Sequence, residues 1–185
     1  VDQSIPLLQV VAGYSNKPNL MTEYSDNMNW FATSLFINNT LVHANSSGYI
    51  YWKMIWASPV GGGEDNAMIS IDANGNYNVT PFYYMMKHYA VAIDKGYRRI
   101  DVSSGNNALR LSAFINPMQN SITLVAINLL SVPFRIDFTV TNNMIKSIQA
   151  ASSIQNSYFV VGDNLVVGQP LLVPPLSVST IILGI

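Results

Sequence analysis

Apolar residues recur at two different spacings along the chain, and the spacing changes close to Gly96. Up to that residue, short apolar runs alternate with segments that carry an apolar residue every three or four positions. Beyond it, short apolar runs follow one another between turns. Strands that alternate with helices are typical of a parallel sheet, and short strands between turns are typical of an antiparallel one. The sequence therefore predicts two domains, residues 1–96 of α/β type and residues 97–185 of all-β type.

The first half begins with strand and helix signals in alternation. Residues 19–23 predict a buried strand, and Asp26 and Asn27 offer N-caps to a helix that ends near His43. Residues 49–56 are rich in aromatic and branched side chains and predict one strand that is buried on both faces. Strand, helix and strand in this order predict right-handed βα units on a parallel sheet.

A hairpin and a second helix follow in the sequence. Asn74-Gly75 lies between two short apolar runs and predicts the turn of a hairpin. Thr80 is a helix cap, Pro81 suits the first helical position, and the apolar residues after it recur at helical spacing. We expect Gly96 to end this helix.

The second half predicts an antiparallel β-sandwich. Its turns contain Gly, Asn, Asp and Pro at the spacing of such a fold. The predicted strands are residues 98–102, 109–115, 122–127, 134–140, 147–151, 158–161, 165–167, 171–173 and 177–183.

Composition narrows the function classes. Only 10% of the 185 residues are charged, the net charge is -1, and 11% are aromatic, so the surface suits neutral, hydroxyl-rich ligands. The few Lys and Arg residues are scattered and predict no nucleic-acid partner. The absence of cysteine excludes a thiolate nucleophile, and we expect no cofactor and no membrane span. Sequons at Asn38, Asn45 and Asn78 would permit glycosylation in a secretory pathway.

Glu23 is the candidate for chemistry in the stretch Asn19 to Ser25. A carboxylate at the end of a buried strand is held by the scaffold and open to substrate, as a nucleophile or general acid must be. The alternative for any single Glu is a solvated surface charge. His43 and His88 lie on separate helices without acids at ligand spacing, so we predict no metal site.

Four motifs stand out along the chain: Leu20 to Ser25, Ser47 to Trp52, Thr80 to Tyr89 and Gly96 to Asp101. In order and spacing they resemble the C-terminal half of glycoside hydrolase family 30. The last strand, Pro174 to Thr180, also looks like that of the family. This family includes endo-xylanases, glucosylceramidases and β-1,6-glucanases.

The resemblance implies a (β/α)8 barrel with an attached β-sandwich and a retaining mechanism. Glu23 matches the nucleophile at the end of the seventh strand, and Tyr24 and Trp52 match positions that line the sugar pocket. Trp52 is then a ring on which a pyranose stacks, with ordinary core packing as the alternative. The remaining aromatic residues of this strand are expected to pack: Tyr49, Tyr51 and Trp56.

The chain departs from the family in length. A complete barrel needs about 250 residues, whereas residues 1–96 suffice for the last two or so βα units. The acid/base Glu of the family follows a strand that this sequence lacks. Glu64 is the alternative acid, in a Gly-rich loop.

Two functions follow as hypotheses. The first is a glycosidase in polysaccharide degradation, secreted or extracellular, or lysosomal in a eukaryote, whose barrel is completed by another chain or segment. The second is a carbohydrate-binding or assembly module without catalysis. Self-association through the open barrel edge is a further expectation, because an unpaired strand edge invites pairing.

Overall fold

The chain folds into two compact units, Val1–Met86 and Lys87–Ile185. The computed structural model describes residues 2–14, 17–23, 29–57, 66–162 and 165–185. Three α-helices are present in this part of the chain: α1 at Ile5–Tyr14, α2 at Trp30–His43 and α3 at Pro81–Ala90. The division between the units falls within α3. The predicted domains, with their junction at residue 96, remain a prediction.

Helix α2 ends at His43, as predicted, but begins at a different cap. The side chain of Asn29 accepts a hydrogen bond from the Ala32 amide at 2.9 Å, which satisfies one free donor of the first turn. The predicted caps Asp26 and Asn27 lie outside the described residues. The helix is buried on several sides, and its buried apolar residues are Trp30, Phe36, Ile37 and Leu41.

The strands of the first unit are shorter than predicted. Strand β1 (Leu20–Met21) pairs in parallel with β2 (Gly48–Tyr49), in the register Leu20 to Gly48 and Met21 to Tyr49. A strand, a helix and a parallel strand therefore follow one another, which is the βα order that the pattern predicts. The prediction of a buried strand over residues 19–23 is wrong in extent and burial, because the Leu20 side chain is 56% exposed.

The prediction of one strand over residues 49–56 is also wrong. The ladder of β2 ends at Tyr49, although the Ile50 amide still donates to the Met21 carbonyl at 2.8 Å. A separate strand, β3 (Ile55–Ala57), follows after a segment that contains a cis peptide bond between Trp52 and Lys53. The side chains are not buried on both faces, since those of residues 50, 52, 54, 55 and 56 are exposed.

The hairpin prediction is confirmed. Strand β3 pairs in parallel with β4 (Ile69–Ile71), which pairs antiparallel with β5 (Tyr77–Val79). Between them, Gly75 has a φ of 83°, a left-handed conformation that glycine adopts without steric cost. The carboxylate of Asp72 accepts hydrogen bonds from the Asn74 and Asn76 amides, which fixes the turn.

Helix α3 begins as predicted and ends earlier. The hydroxyl of Thr80 accepts from the Phe82 amide at 3.2 Å and donates to the Ala67 carbonyl at 2.5 Å. The helix ends at Ala90 and not at Gly96. The chain turns before Gly96, and the Thr123 hydroxyl donates to the carbonyl of Ala92.

The second unit is built on a six-stranded antiparallel sheet with a smaller two-stranded sheet against it. The strands are β6 Arg98–Ile100, β7 Leu109–Ile115, β8 Ser121–Asn128, β9 Phe134–Ile136, β10 Ser147–Ile154, β11 Ser157–Val161, β12 Leu171–Val173 and β13 Ser177–Gly184. The order in the large sheet is β11-β10-β13-β8-β7-β6, and β9 pairs with β12 in the small sheet. Apolar residues from both sheets form one core, which includes Leu124, Ile181 and Val173.

Most predicted strands of this unit are confirmed with small changes in their ends. The strand predicted over residues 165–167 is wrong, because these residues lead into a turn that contains Gly168. The strand predicted over residues 134–140 ends at Ile136, where its pairing with β12 ends.

Candidate functional site

Two predicted site residues lie beyond the carboxyl ends of neighbouring parallel strands. Glu23 follows β1 by two residues, and Trp52 follows β2 by three. Met21 and Tyr49 are paired in the register, so the two strands end at the same level. Since paired strands are about 4.8 Å apart, the backbone places Glu23 and Trp52 at one edge of the sheet.

The side chains of both residues are open to solvent. Glu23 is exposed in the loop after β1. The Trp52 side chain is 48% exposed, so the indole is not part of a core. A carboxylate and an indole at one sheet edge are chemically suited to a sugar ring. The indole offers an apolar face for C–H groups, and the carboxylate accepts hydrogen bonds from hydroxyl groups or attacks an electrophilic carbon.

Asn19 holds the start of β1 in place. Its side-chain amide donates to the Ala44 carbonyl at 3.1 Å, and its side-chain oxygen accepts from the Ser46 hydroxyl at 2.5 Å. Its backbone carbonyl accepts from the Ser47 amide at 2.8 Å. These bonds connect the strand that leads to Glu23 with the loop that leads to β2. Sequence spacing gives no indication of these bonds.

Tyr51 supports the segment that carries Trp52. The Tyr51 ring is buried and stacks on Phe82, with ring centroids 5.9 Å apart. Its hydroxyl donates to the Asn66 carbonyl at 2.5 Å. Tyr51 therefore packs, as expected for this position.

Trp56 does not follow the same expectation. Its ring is 38% exposed, and the ammonium group of Lys53 lies 3.9 Å from the ring centroid. This is a cation–π contact, which orients the indole from one side. Sequence spacing gave no indication of the contact, because it depends on how the chain turns after Trp52.

The two other predicted site residues cannot be placed. Tyr24 and Glu64 lie outside the described residues. Glu23 and Trp52 are therefore the predicted site residues for which the structure gives a position.

His88 is part of a buried polar cluster in the second unit. Its Nδ1 lies 2.9 Å from the Thr180 hydroxyl and its Nε2 lies 2.7 Å from the Ser153 hydroxyl. Burial, assisted by the nearby charge of Lys87, lowers the pKa of His88 to about 3. The imidazole is therefore neutral at pH 7.

Within the described ranges, no three residues among His, Cys, Asp and Glu are grouped so as to hold a metal ion. None of the helices in this part of the chain has the length and apolar character needed to cross a membrane.

Comparison with solved structures identifies the fold. The chain is similar to a glycoside hydrolase family 30 subfamily 8 xylanase from Clostridium acetobutylicum, with a TM-score of 0.78 and 21% identity over 94% of this chain and 44% of that one. It is similar to the catalytic domain of family 30 xylanase C from Talaromyces cellulolyticus, with a TM-score of 0.79 and 17% identity over 93% and 42%. A family 44 xyloglucanase from Paenibacillus polymyxa matches with a TM-score of 0.62 and 17% identity over 98% and 35%.

The resemblance to family 30 is thus confirmed at the level of fold. The chain spans less than half the length of these structures. No protein-family model and no curated protein sequence matches it. The chain has the fold of a portion of a family 30 glycoside hydrolase.

Proposed function

We propose that the chain is the nucleophile-bearing portion of a retaining glycoside hydrolase that acts on a β-linked glycan such as xylan, glucan or a β-glucoside. The observation that carries the proposal is the position of Glu23 and Trp52 beyond the ends of two paired parallel strands. Catalytic groups of barrel enzymes lie at the carboxyl ends of their strands. The fold shared with family 30 xylanases supports the same assignment.

In this mechanism, the Glu23 carboxylate attacks the anomeric carbon while the glycosidic oxygen leaves. A second carboxylic acid gives its proton to that oxygen, and a glycosyl ester forms on Glu23. Water, deprotonated by the same second group, then attacks the anomeric carbon and releases Glu23. The two carboxyl groups must be about 5 to 5.5 Å apart for this chemistry. Trp52 holds the sugar by stacking.

The second carboxyl group is supplied, in this proposal, by another chain or segment that completes the barrel. Strand β1 has β2 as its partner in the described part of the chain, and the side chains of Leu20 and Ile50 are each 56% exposed. A parallel strand laid along β1 would bury Leu20 and satisfy the backbone groups of its open edge. The Gly-rich loop with Glu64 is the other candidate source of the acid.

A covalent trap tests Glu23 without requiring the second carboxyl group. A 2-fluoroglycoside with a dinitrophenolate leaving group needs no protonation of that group, so a working nucleophile forms a stable glycosyl ester. We expect intact mass spectrometry to show one glycosyl group on Glu23 of the wild-type chain. Glu23→Gln removes the nucleophilic oxygen and abolishes the label.

Asp94→Asn is the matched control, because Asp94 is an exposed carboxylate outside the candidate site. This variant is expected to label as the wild type does. A label that survives in Glu23→Gln would contradict the proposal. Acid and base roles are tested separately, by comparing aryl-glycoside turnover of Glu64→Gln and wild type; equal rates would exclude Glu64.

The second candidate function is a carbohydrate-binding or assembly module without catalysis. It is favoured by the exposed side chains of Trp52 and Trp56, because an indole can stack on a sugar ring without any covalent step. Binding of glycan without a label on Glu23 would support it. Self-association through the β1 edge is the other form of assembly, and light scattering after size-exclusion chromatography would exclude it by showing a monomer at high concentration.

A secreted or extracellular location, or a lysosomal one in a eukaryote, fits a polysaccharide substrate. Of the sequons, Asn45 is exposed in the loop before β2, whereas Asn38 is buried within α2. Secretory expression is therefore expected to glycosylate Asn45 and not Asn38. Glycopeptide mass spectrometry measures this directly.

A further inference from the structure

We propose that one face of the β3–β4–β5 sheet is a second glycan-binding subsite, separate from Glu23. The register pairs Trp56 of β3 with Ser70 of β4, and Ser70 with Asn78 of β5. Side chains of paired residues project from the same face of a sheet. An indole, a hydroxyl and an amide therefore form a row across the three strands.

The same face continues into the hairpin turn. Alternate residues of a strand share a face, so Asp72 lies beside Ser70 and Asn76 beside Asn78. The Asp72 carboxylate accepts from the Asn76 side-chain amide at 3.0 Å. That hydrogen bond lowers the pKa of Asp72, together with the backbone amides of the turn. We call these five residues the Trp56 face: Trp56, Ser70, Asp72, Asn76 and Asn78.

The chemistry of the Trp56 face matches a neutral pyranose chain. The Trp56 ring provides an apolar platform for the C–H face of a sugar, and Lys53 holds the ring from one side. Ser70 and Asn78 provide hydroxyl and amide groups that donate and accept hydrogen bonds with sugar hydroxyls. Two interstrand steps separate Trp56 from Asn78, about 10 Å, which is enough for a disaccharide.

The opposite face of the sheet has a different character. It carries the pairs Ile55 with Ile69 and Ile71 with Tyr77. Tyr77 is 76% exposed, so it offers an aromatic ring on the same sheet without the neighbouring hydroxyl and amide groups. Tyr77 is therefore a matched control for Trp56.

This inference rests on the proposed function, which supplies the class of ligand, a β-linked neutral glycan. Its test is the binding of xylohexaose and cellohexaose, measured by isothermal titration calorimetry. The full chain is produced in a bacterial host, where Asn78 carries no N-glycan. Trp56→Ala is expected to weaken binding of at least one hexaose about tenfold, the loss of one stacking contact. Trp56→Phe is expected to retain part of that affinity, and Tyr77→Ala to bind as the wild type does.

Equal affinity of Trp56→Ala and the wild type would overturn the inference, as would equal losses in Trp56→Ala and Tyr77→Ala. Lack of binding of both hexaoses by the wild type would also overturn it. If Trp56→Ala melts at a lower temperature than the wild type, Asn78→Ala carries the test, since Asn78 is exposed. Its expected loss is about threefold, one hydrogen bond to a neutral group.

The proposed function and this inference fail in different ways. A wild-type chain that takes no covalent label but shows Trp56-dependent binding contradicts the nucleophile and supports the subsite. A wild-type chain that takes the label on Glu23 but binds the hexaoses independently of Trp56 supports the nucleophile and contradicts the subsite.

Discussion

The two units of the chain differ in how their strands bury apolar side chains. In the second unit, Ala126 of β8 and Ile181 of β13 belong to the core between the two sheets and are 0% exposed. In the first unit, the strands have two or three residues, and side chains such as Leu20 and Ile55 are half exposed. On the face that this core covers, the second unit buries its strands with its own residues, whereas the first unit does not do so within the described residues.

The difference follows from the type of pairing. An antiparallel sheet is stable with one covered face, and in the second unit the β9–β12 sheet and its neighbours provide that cover. Parallel strands normally have both faces covered. The exposed apolar side chains of the first unit are consistent with the proposal that further strands pack on it, and they predict that its strands contribute little to stability in the isolated chain.

The largest expected effect on the free energy of unfolding comes from truncating an isoleucine of the second unit, and an isoleucine of the first unit is its matched comparison. Ile181→Ala in β13 is expected to lower the free energy of unfolding by about 2 to 5 kcal/mol, because it leaves a cavity in the core of the second unit. Ile55→Ala in β3 removes a half-exposed side chain and is expected to cost less than about 1 kcal/mol. Equilibrium unfolding in urea measures both values.

Tryptophan fluorescence and circular dichroism together distinguish the unfolding of the two units. All three tryptophans, Trp30, Trp52 and Trp56, belong to the first unit, so their fluorescence reports its unfolding. Far-ultraviolet circular dichroism reports both units. If Ile55→Ala proves as costly as Ile181→Ala, the first unit is better covered than its exposed side chains indicate, and the comparison fails.

The next effect depends on pH and concerns the second unit. The pKa of His88 is about 3 in the folded protein, below its ordinary value of 6.5, because of burial. The unfolded chain then binds a proton that the folded one does not, so stability is full above pH 6.5 and is lost as the pH falls towards 3. Between pH 6 and 4 the loss is about 2 to 3 kcal/mol.

His88→Gln is the control for the carboxylates that titrate over the same range. Glutamine has no proton to gain, so the variant is expected to be less stable at pH 7 but to lose about 2 to 3 kcal/mol less than the wild type between pH 6 and 4. Urea unfolding followed by circular dichroism at each pH gives this difference. Parallel pH profiles for the two proteins would show that His88 does not titrate in this way.

The sequence predicts the strands of the second unit better than those of the first. The reason is again the difference in how the strands of the two units are covered. The strand bounds at 109–115 and 171–173 are predicted to the residue, because alternate residues of both strands pack in the core of the second unit and the apolar pattern reflects it. The prediction of one strand buried on both faces at 49–56 is wrong, because an apolar run has the same pattern whether or not another strand covers it. Residues 165–167 were misjudged because three apolar residues before a glycine turn fit a strand equally well.

The candidate site shows a similar limit. Glu23 is singled out by its place at the end of the strand predicted over residues 19–23, whereas Trp52 is singled out only by the family resemblance, because residue 52 lies inside the strand predicted over residues 49–56. The bonds of Asn19 and the contact of Lys53 with Trp56 could not be predicted, because each joins residues through a turn whose path the sequence pattern does not give. Burial of His88 between Ser153 and Thr180 joins residues far apart in the chain and was likewise outside the reach of spacing arguments.

The smallest expected effect identifies what stabilises the first unit. Asn29→Ala removes the side-chain acceptor for the Ala32 amide at the start of α2, and loss of an N-cap costs about 1 kcal/mol. Asn29→Ser keeps an acceptor and is expected to lose only a few tenths. Because tryptophan fluorescence follows the first unit, urea unfolding by this probe compares both variants with Ile55→Ala. A larger cost for Asn29→Ala than for Ile55→Ala would show that α2, which is buried, stabilises this unit more than its strands do. The reverse order would mean that the short strands already form a packed core.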